Sequence, residues 1–300
     1  MKIAAAAYPI DWHNRWNEYV GKLRVWVRAA AENGADLLVF PEYGAMELAS
    51  LAQEANARDA RKAAEAVAAR AKDVDELHAS LAREFSVHIA AGSAPMHQGK
   101  ALVNRTRLFA PDGGSGFQDK QSLTPVEQDL GMVAGEGGRV FDTVIGRIGI
   151  LAGRDASIPA LARDMAAAGA EILLVPAGAS SPLGYWRARI AAAARAVETQ
   201  SVAVLAVRVG DTDWLAGARR HVGAAAVLTP PEEKLPEDGV VAAGKMNAEG
   251  WVYAEVDLEP LRAARNRRAT ADPELFAALS QSFGPVETVR LGGAPAAPRA

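Results

Sequence analysis

Two periodicities divide the chain. Short apolar runs bounded by Gly, Pro or Asp predict buried strands, and apolar residues recurring every three to four positions predict amphipathic helices. KIAAAAYPI (2–10) predicts a strand, residues 13–33 follow with helical spacing, and GADLLVFPEYG (34–44) predicts a buried strand ending at Pro41-Glu42. Residues 46–84 are polar and Ala-rich and predict two helices broken near Asp73, before a third strand at SVHIAAGSAP (86–95). The middle is β-rich. KALVNRTRLFAPDGGSG (100–116) carries a strand and a glycine turn, and GRVFDTVIGRIGILAG (138–153) predicts a hairpin. Alternation resumes with a helix over 157–169, the strand AEILLVPAG (170–178), a helix over 184–199 and the strand SVAVLAVRVG (201–210). HVGAAAVLTPP, a charged Pro-rich loop, GVVAAGKMN, WVYAEVDLEP and a short helix close the pattern. This is the α/β class with no internal repeat and no linker: one domain over 1–284, then an extended tail over 285–300.

Composition narrows the function classes. Half of the 300 residues are apolar, enough to bury one large core. A formal charge of -3 with scattered positive residues argues against nucleic acid, and no apolar stretch approaches a membrane span. MKIAAAAYPIDW meets Pro9, Asp11 and Trp12 too early for a signal peptide. Cysteine is absent, which removes disulfides, thiolate metal sites and thiol catalysis and points to the cytoplasm. His13, His78, His88, His97 and His221 show neither HxH nor HExxH spacing, so no metal is expected. No cofactor is expected either, since GRIGIL lacks the glycines of a dinucleotide loop. GGSG at 113–116 follows Pro111-Asp112 and reads as a turn, not as a nucleophile elbow.

Three stretches carry candidate chemistry. Glu42 follows a buried strand directly, at the sheet rim where burial would raise its pKa toward that of a general base; alone, it also reads as a solvated rim charge. Lys120 and Glu127, in DKQSLTPVEQD, read alone as a surface lysine and a loop charge. GILAGRDASIP (149–159) reads as a strand turning into a helix, where α/β proteins gather reactive groups, yet position 153 carries no side chain.

In their order and spacing these stretches resemble the nitrilase superfamily of carbon–nitrogen hydrolases, close to a bacterial amidase-like branch. The resemblance runs from about residue 2 to about 268 and takes in GYWRARIAAAARAVETQSVAVLAVRVG, GAAAVLTP and WVYAEVDLE. It implies a four-layer α-β-β-α sandwich and a homodimer packed through helices at 157–169 and 184–199. It matches Glu42 to the base, Lys120 to the oxyanion stabiliser and Glu127 to a second glutamate that orients the lysine. Such chemistry needs a nucleophile, a base to ionise it and a cation for the oxyanion. The family's cysteine nucleophile falls on Gly153, where its Cys-aromatic-Asp elbow here reads Gly-Arg-Asp. Tyr43, Arg154, Ala177 and Tyr185 fall at substrate-binding positions, and Arg154 adds a planar guanidinium suited to a carboxylate.

A chain emptied of its nucleophile is expected to be a non-catalytic or strongly impaired member that binds a small amide or carboxylate. Three alternatives stay open. The space left by the missing thiol could hold a water activated by Glu42; the chain could be an engineered inactive amidase; or it could be a structural partner of an active relative. Glycine next to arginine, in a chain without cysteine, fits natural loss better than the Cys-to-Ala or Cys-to-Ser exchange usual in a knock-out.

Overall fold

A computed structural model describes residues 1–217 and 219–271, so the tail expected over 285–300 lies outside the described residues. In chain order the elements are β1 (Lys2–Pro9), α1 (Trp16–Glu32), β2 (Leu37–Val39), α2 (Glu54–Ala57), α3 (Ala60–Ala68), α4 (Ala71–Phe85) and β3 (His88–Ala90). Next come β4 (Ala94–Gln98), β5 (Ala101–Phe109), β6 (Ser115–Asp119), α5 (Pro125–Asp129), β7 (Val140–Thr143) and β8 (Gly146–Ile150). The rest are α6 (Pro159–Ala167), β9 (Ile172–Ala177), α7 (Pro182–Thr199), β10 (Val202–Asp211), β11 (Arg220–His221), β12 (Ala226–Leu228), β13 (Val240–Ala243), β14 (Gly250–Glu255) and α8 (Glu259–Ala271).

The sheet forks at β1. One edge of β1 pairs in parallel with β2 through Ile3–Ala5. The other is shared: β14 runs antiparallel along Lys2–Ala7, and β10 runs parallel along Ala7–Pro9. β10 divides likewise, pairing with β12 through Ala203–Leu205 and with β1 through Val207–Val209. One half of the sheet therefore runs β14-β1-β2-β3-β5, and the other β13-β12-β10-β9-β8-β7.

Alternation along β1 assigns its two faces. Ala4, Ala6 and Tyr8 join Tyr19, Leu23 and Val27 of α1 and Leu81 of α4 in one apolar core. Ile3 and Ala5 join Leu37 and Val39 in another, which also holds Ile150, Leu174 and Val204 from the opposite half. Helices α6 and α7 contribute Ala162, Met165, Ala192 and Ala196 to that second core. The layers are helix, sheet, sheet, helix: the four-layer α-β-β-α sandwich.

The structure departs from the sequence pattern at two places that shape the site. Over 46–84 the chain does not form two long helices broken near Asp73. A 3-10 turn over Gly44–Ala52 comes first, and α2, α3 and α4 follow, with the last break at Ala69–Arg70. Tyr43 and Gln53, at φ 57 and φ 72, bracket that 3-10 turn with left-handed backbone. Glu127 lies in no loop either, but in α5, whose Thr124 and Glu127 form a reciprocal capping box with Pro125 at the first turn.

Candidate functional site

The reactive-type side chains gather beyond the carboxyl ends of the strands. Glu42 follows β2, Lys120 follows β6, and Gly153 follows β8. Along the sheet, β2 and β8 are separated by β1, β10 and β9. Four strand spacings would put them about 19 Å apart in a flat sheet. They meet because the two halves face one another. A β-carbon at position 153 would lie 2.5 Å from each carboxylate oxygen of Glu42.

Lys120 is the hub. Its Nζ donates to Glu42 Oε1 at 2.8 Å and to Glu127 Oε1 at 2.9 Å. Asn104, on β5, donates its Nδ2 to the same two oxygens at 3.2 Å and 3.1 Å. Tyr43 OH donates to Glu127 Oε1 at 2.6 Å, while Thr124 donates its backbone N–H and its hydroxyl to Glu127 Oε2 at 2.7 Å and 2.9 Å. Lys120 is 2% exposed, Glu127 3% and Glu42 6%, so the charges face little water to screen them. Burial alone would raise the Glu127 pKa, but Lys120, the Thr124 amide and Tyr43 outweigh it and hold the carboxyl below its usual value. Burial would lower the Lys120 pKa, and the two carboxylates reverse that and raise it. The lysine is a fixed ammonium clamped between two carboxylates.

The elbow is tied to the lysine segment by Asp155. Its carboxylate accepts from the backbone N–H of Gln121 at 2.9 Å and of Ser122 at 2.6 Å, the two residues after Lys120. Burial pushes its pKa up to about 6 against those donors.

Among the residues singled out from the sequence, Glu42, Lys120, Glu127, Tyr43 and the backbone of Gly153 converge. Arg154 does not join them: it is exposed and donates Nη1 to the Leu123 carbonyl at 3.2 Å, leaving Glu42 to Lys120. Ala177 is buried at the end of β9, in register with Val207, and offers the network no polar group. Tyr185 is buried where a β-carbon at Gly223 would touch both its ring and Val207.

Three further residues adjoin the site. Asn104 reads as an ordinary polar residue of a strand, and Asp155 is the acid of the Gly-Arg-Asp elbow, whose tie to the lysine segment the sequence does not announce. Arg208 stands alone as a charge inside the apolar run of β10. The capping box at Thr124 was readable, as T-x-x-E preceded by a strand.

Comparison with known proteins gives the family and agrees with the fold. The carbon-nitrogen hydrolase family model matches residues 2–266. The probable hydrolase YhcX of Bacillus subtilis is 30% identical over 266 residues, 88% of this chain but 51% of its own length, so the chain spans about half of that relative. An (R)-stereoselective amidase of Pseudomonas sp. is 30% identical over 247 residues, 79% of this chain and 78% of its own. Among solved structures, a glutamate-to-glutamine mutant of the amidase from Nesterenkonia sp. AN1, with acrylamide added at its active site cysteine, shares the fold at a TM-score of 0.66. It is 20% identical and covers 90% of this chain and 99% of that one. A forked sheet between helix layers, a carboxylate–lysine–carboxylate cluster at its rim, and a family match over nearly all the described residues lead to one assignment: the chain belongs to the carbon-nitrogen hydrolase family, within the nitrilase superfamily.

Proposed function

We propose that this chain is a ligand-binding member of its family that does not carry out covalent amide hydrolysis. One observation carries the reading: the Glu42 carboxylate lies against Gly153, in the room a side chain there would need. The Nesterenkonia amidase holds its adduct at an active site cysteine, whereas this sequence has no cysteine. Glu42 is moreover paired with Lys120, so the base and the oxyanion cation satisfy one another. The alternative of a water activated by Glu42 is disfavoured, because the carboxylate itself takes up the space that the missing thiol would leave. A small amide or carboxylate is the ligand class, and a cytoplasmic location goes with this reading; none of the helices among the described residues is long and apolar enough to cross a membrane.

The test is direct. The purified chain is incubated with primary amides, and ammonia release and intact mass are followed. No ammonia above background and no mass increase on residues 149–159 are expected; turnover or a stable adduct overturns the reading.

We also propose a homodimer. Leu183, Trp186 and Ile190 on α7 are 72%, 48% and 64% exposed and recur at helical spacing on one side of it. A dimer mass by light scattering, lost in Ile190→Glu, supports this; a monomer in the unmodified protein refutes it.

A further inference from the structure

Tyr43 reaches Glu127 from a strained backbone. At φ 57 it stands in the left-handed region, where a residue with a β-carbon stays only if its surroundings fix it. One hold is local: the Tyr43 N–H donates to Ser93 Oγ at 2.9 Å. The other is the 3-10 turn that Tyr43 caps and that ends at Gln53, again left-handed at φ 72. Ala45, Leu48 and Ala49 of this turn are buried in one core with Leu23 of α1 and Leu81 of α4. Apolar burial sets how deep the turn sits but not how it is rotated, because it has no preferred direction.

Glu47 supplies the direction. Its carboxylate is fully buried and meets donors from β1, α1 and the connection between them, none of which belongs to the Lys120 cluster. Tyr8 OH donates to Oε1 at 2.6 Å. Oε2 accepts from Lys22 Nζ at 2.6 Å and from the Asp11 N–H at 3.2 Å, and His13 Nε2 lies 3.2 Å from it. A carboxylate only accepts, so the His13 ring carries a hydrogen on Nε2. Lys22 also donates to the Pro9 carbonyl at 2.7 Å and pairs with Asp11 at 2.8 Å, which anchors it to the end of β1. Ser50 adds a second tie: its Oγ donates to the Glu47 carbonyl at 2.6 Å and accepts from the His13 N–H at 3.1 Å. Hydrogen bonds to an ionised group are short and directional, so this set fixes the rotation of the turn that packing leaves open.

We propose that Glu47 is a positioning residue for the buried cluster: by locking the 3-10 turn to the end of β1, it holds Tyr43 in its left-handed corner and keeps the Tyr43 hydroxyl on Glu127. The proposal concerns the cluster itself, so it stands or falls independently of whether the site binds a ligand. A purely structural Glu47 would instead stabilise the fold without changing any group around Lys120.

The ionisation of Glu127 separates these roles. Burial raises its pKa, and Lys120, Thr124 and the Tyr43 hydroxyl together bring it below the usual value. The full chain is labelled with 13C at its glutamate carboxyl carbons, Glu127 is assigned from Glu127→Gln, and its acid titration is followed by NMR. Loss of one hydrogen bond to a carboxylate raises its pKa by about one unit. A rise of that size is expected in Glu47→Ala. None is expected in Val27→Ala, which thins the same core and controls for lost stability. In Tyr43→Phe the titration has already moved, and adding Glu47→Ala should move it no further. No rise in Glu47→Ala, an equal rise in Val27→Ala, or a further rise in the Tyr43→Phe background overturns the proposal. If Glu47→Ala does not fold, Tyr8→Phe combined with Ser50→Ala takes its place under the same comparison, since it loosens the turn while leaving Glu47 paired with Lys22.

Discussion

The carboxylate of Glu42 and the backbone of Gly153 occupy adjoining space, with 2.5 Å between either oxygen and the point where a β-carbon would begin. Gly153 is also left-handed, at φ 51, a backbone that side chains adopt only at a cost. Any substitution at 153 therefore meets two obstacles, one steric and one conformational.

Gly153→Ala is expected to lower stability by about 1–3 kcal/mol, the usual range for overpacking a tight site. Part of that loss should vanish when Glu42→Ala clears the carboxylate away. Urea unfolding of the two single variants and the double variant measures the coupling. Strictly additive effects would show that Glu42 does not hold that space in solution. Gly153→Cys faces the same barrier, so a thiol introduced at 153 has to displace Glu42 before it can be activated by it.

Lys120→Met leaves Glu42 and Glu127 buried without their cation. Breaking a buried pair in this way costs about 3–5 kcal/mol, so a large fall in the urea midpoint at pH 7 is expected. The sign with pH follows from Glu127. In the unmodified protein its pKa is held below 4.5, so its contribution is present above that value and is lost as pH falls through the lowered pKa. Without Lys120 the carboxylate is penalised by burial, and stability should recover as pH falls from 7 toward 5. A variant whose deficit is the same at pH 5 and pH 7 would contradict the pairing.

Thr124→Ala removes the hydroxyl that donates to Glu127 Oε2 and accepts from the Glu127 amide. A loss of about 1 kcal/mol, typical of an N-cap, is expected. Thr124→Ser should restore most of it, whereas equal stability of the Ala and Ser variants would show that the cap contributes nothing.

Two buried histidines make mild acid destabilising. Burial pushes His78 down to about 4, and burial with the charge of Arg208 pushes His221 down to about 3. Below 6.5 the unfolded chain takes up protons that the folded one refuses, so stability falls as pH drops from 6.5 toward 4. His78 alone accounts for ~2.5 kcal/mol at pH 4.5, from about 1.4 kcal/mol for each pH unit. Asp155 acts in the opposite sense: its raised pKa makes ionisation unfavourable, and that burden lifts as pH falls through about 6. The decisive comparison is therefore between the unmodified protein and His78→Gln, whose stability should be flatter between pH 6.5 and 4.5.

The fold was legible wherever one face or one period dominated. The run at 2–10 predicts β1 and the run at 201–210 predicts β10, because a strand buried on both sides needs only apolar residues and no alternation. The sequence could not show that β1 supports two neighbours on one edge, since pairing is decided by distant chain. The 46–84 stretch misled because alanine spacing looks the same whether the turns are α or 3-10, and the brackets at Tyr43 and Gln53 are left-handed without glycine. Glu42, Lys120 and Glu127 stood out through their order along the chain. Arg208 did not, for its neighbours Gly178 and Tyr43 lie far from it in sequence.

Glu127 divides its two oxygens between different worlds. One completes a signal written within four residues, the capping box of α5; the other closes a contact with Tyr43 across 84 positions of chain. Five residues of helix cannot hold themselves together in water, so this turn leans on contacts beyond itself, and both halves of that carboxylate supply them. Fraying at the surface and charge balance within are thereby coupled through one side chain. A ligand that redistributes charge at the buried cluster should therefore be audible outside it, in how fast the amides of this small helix exchange with solvent.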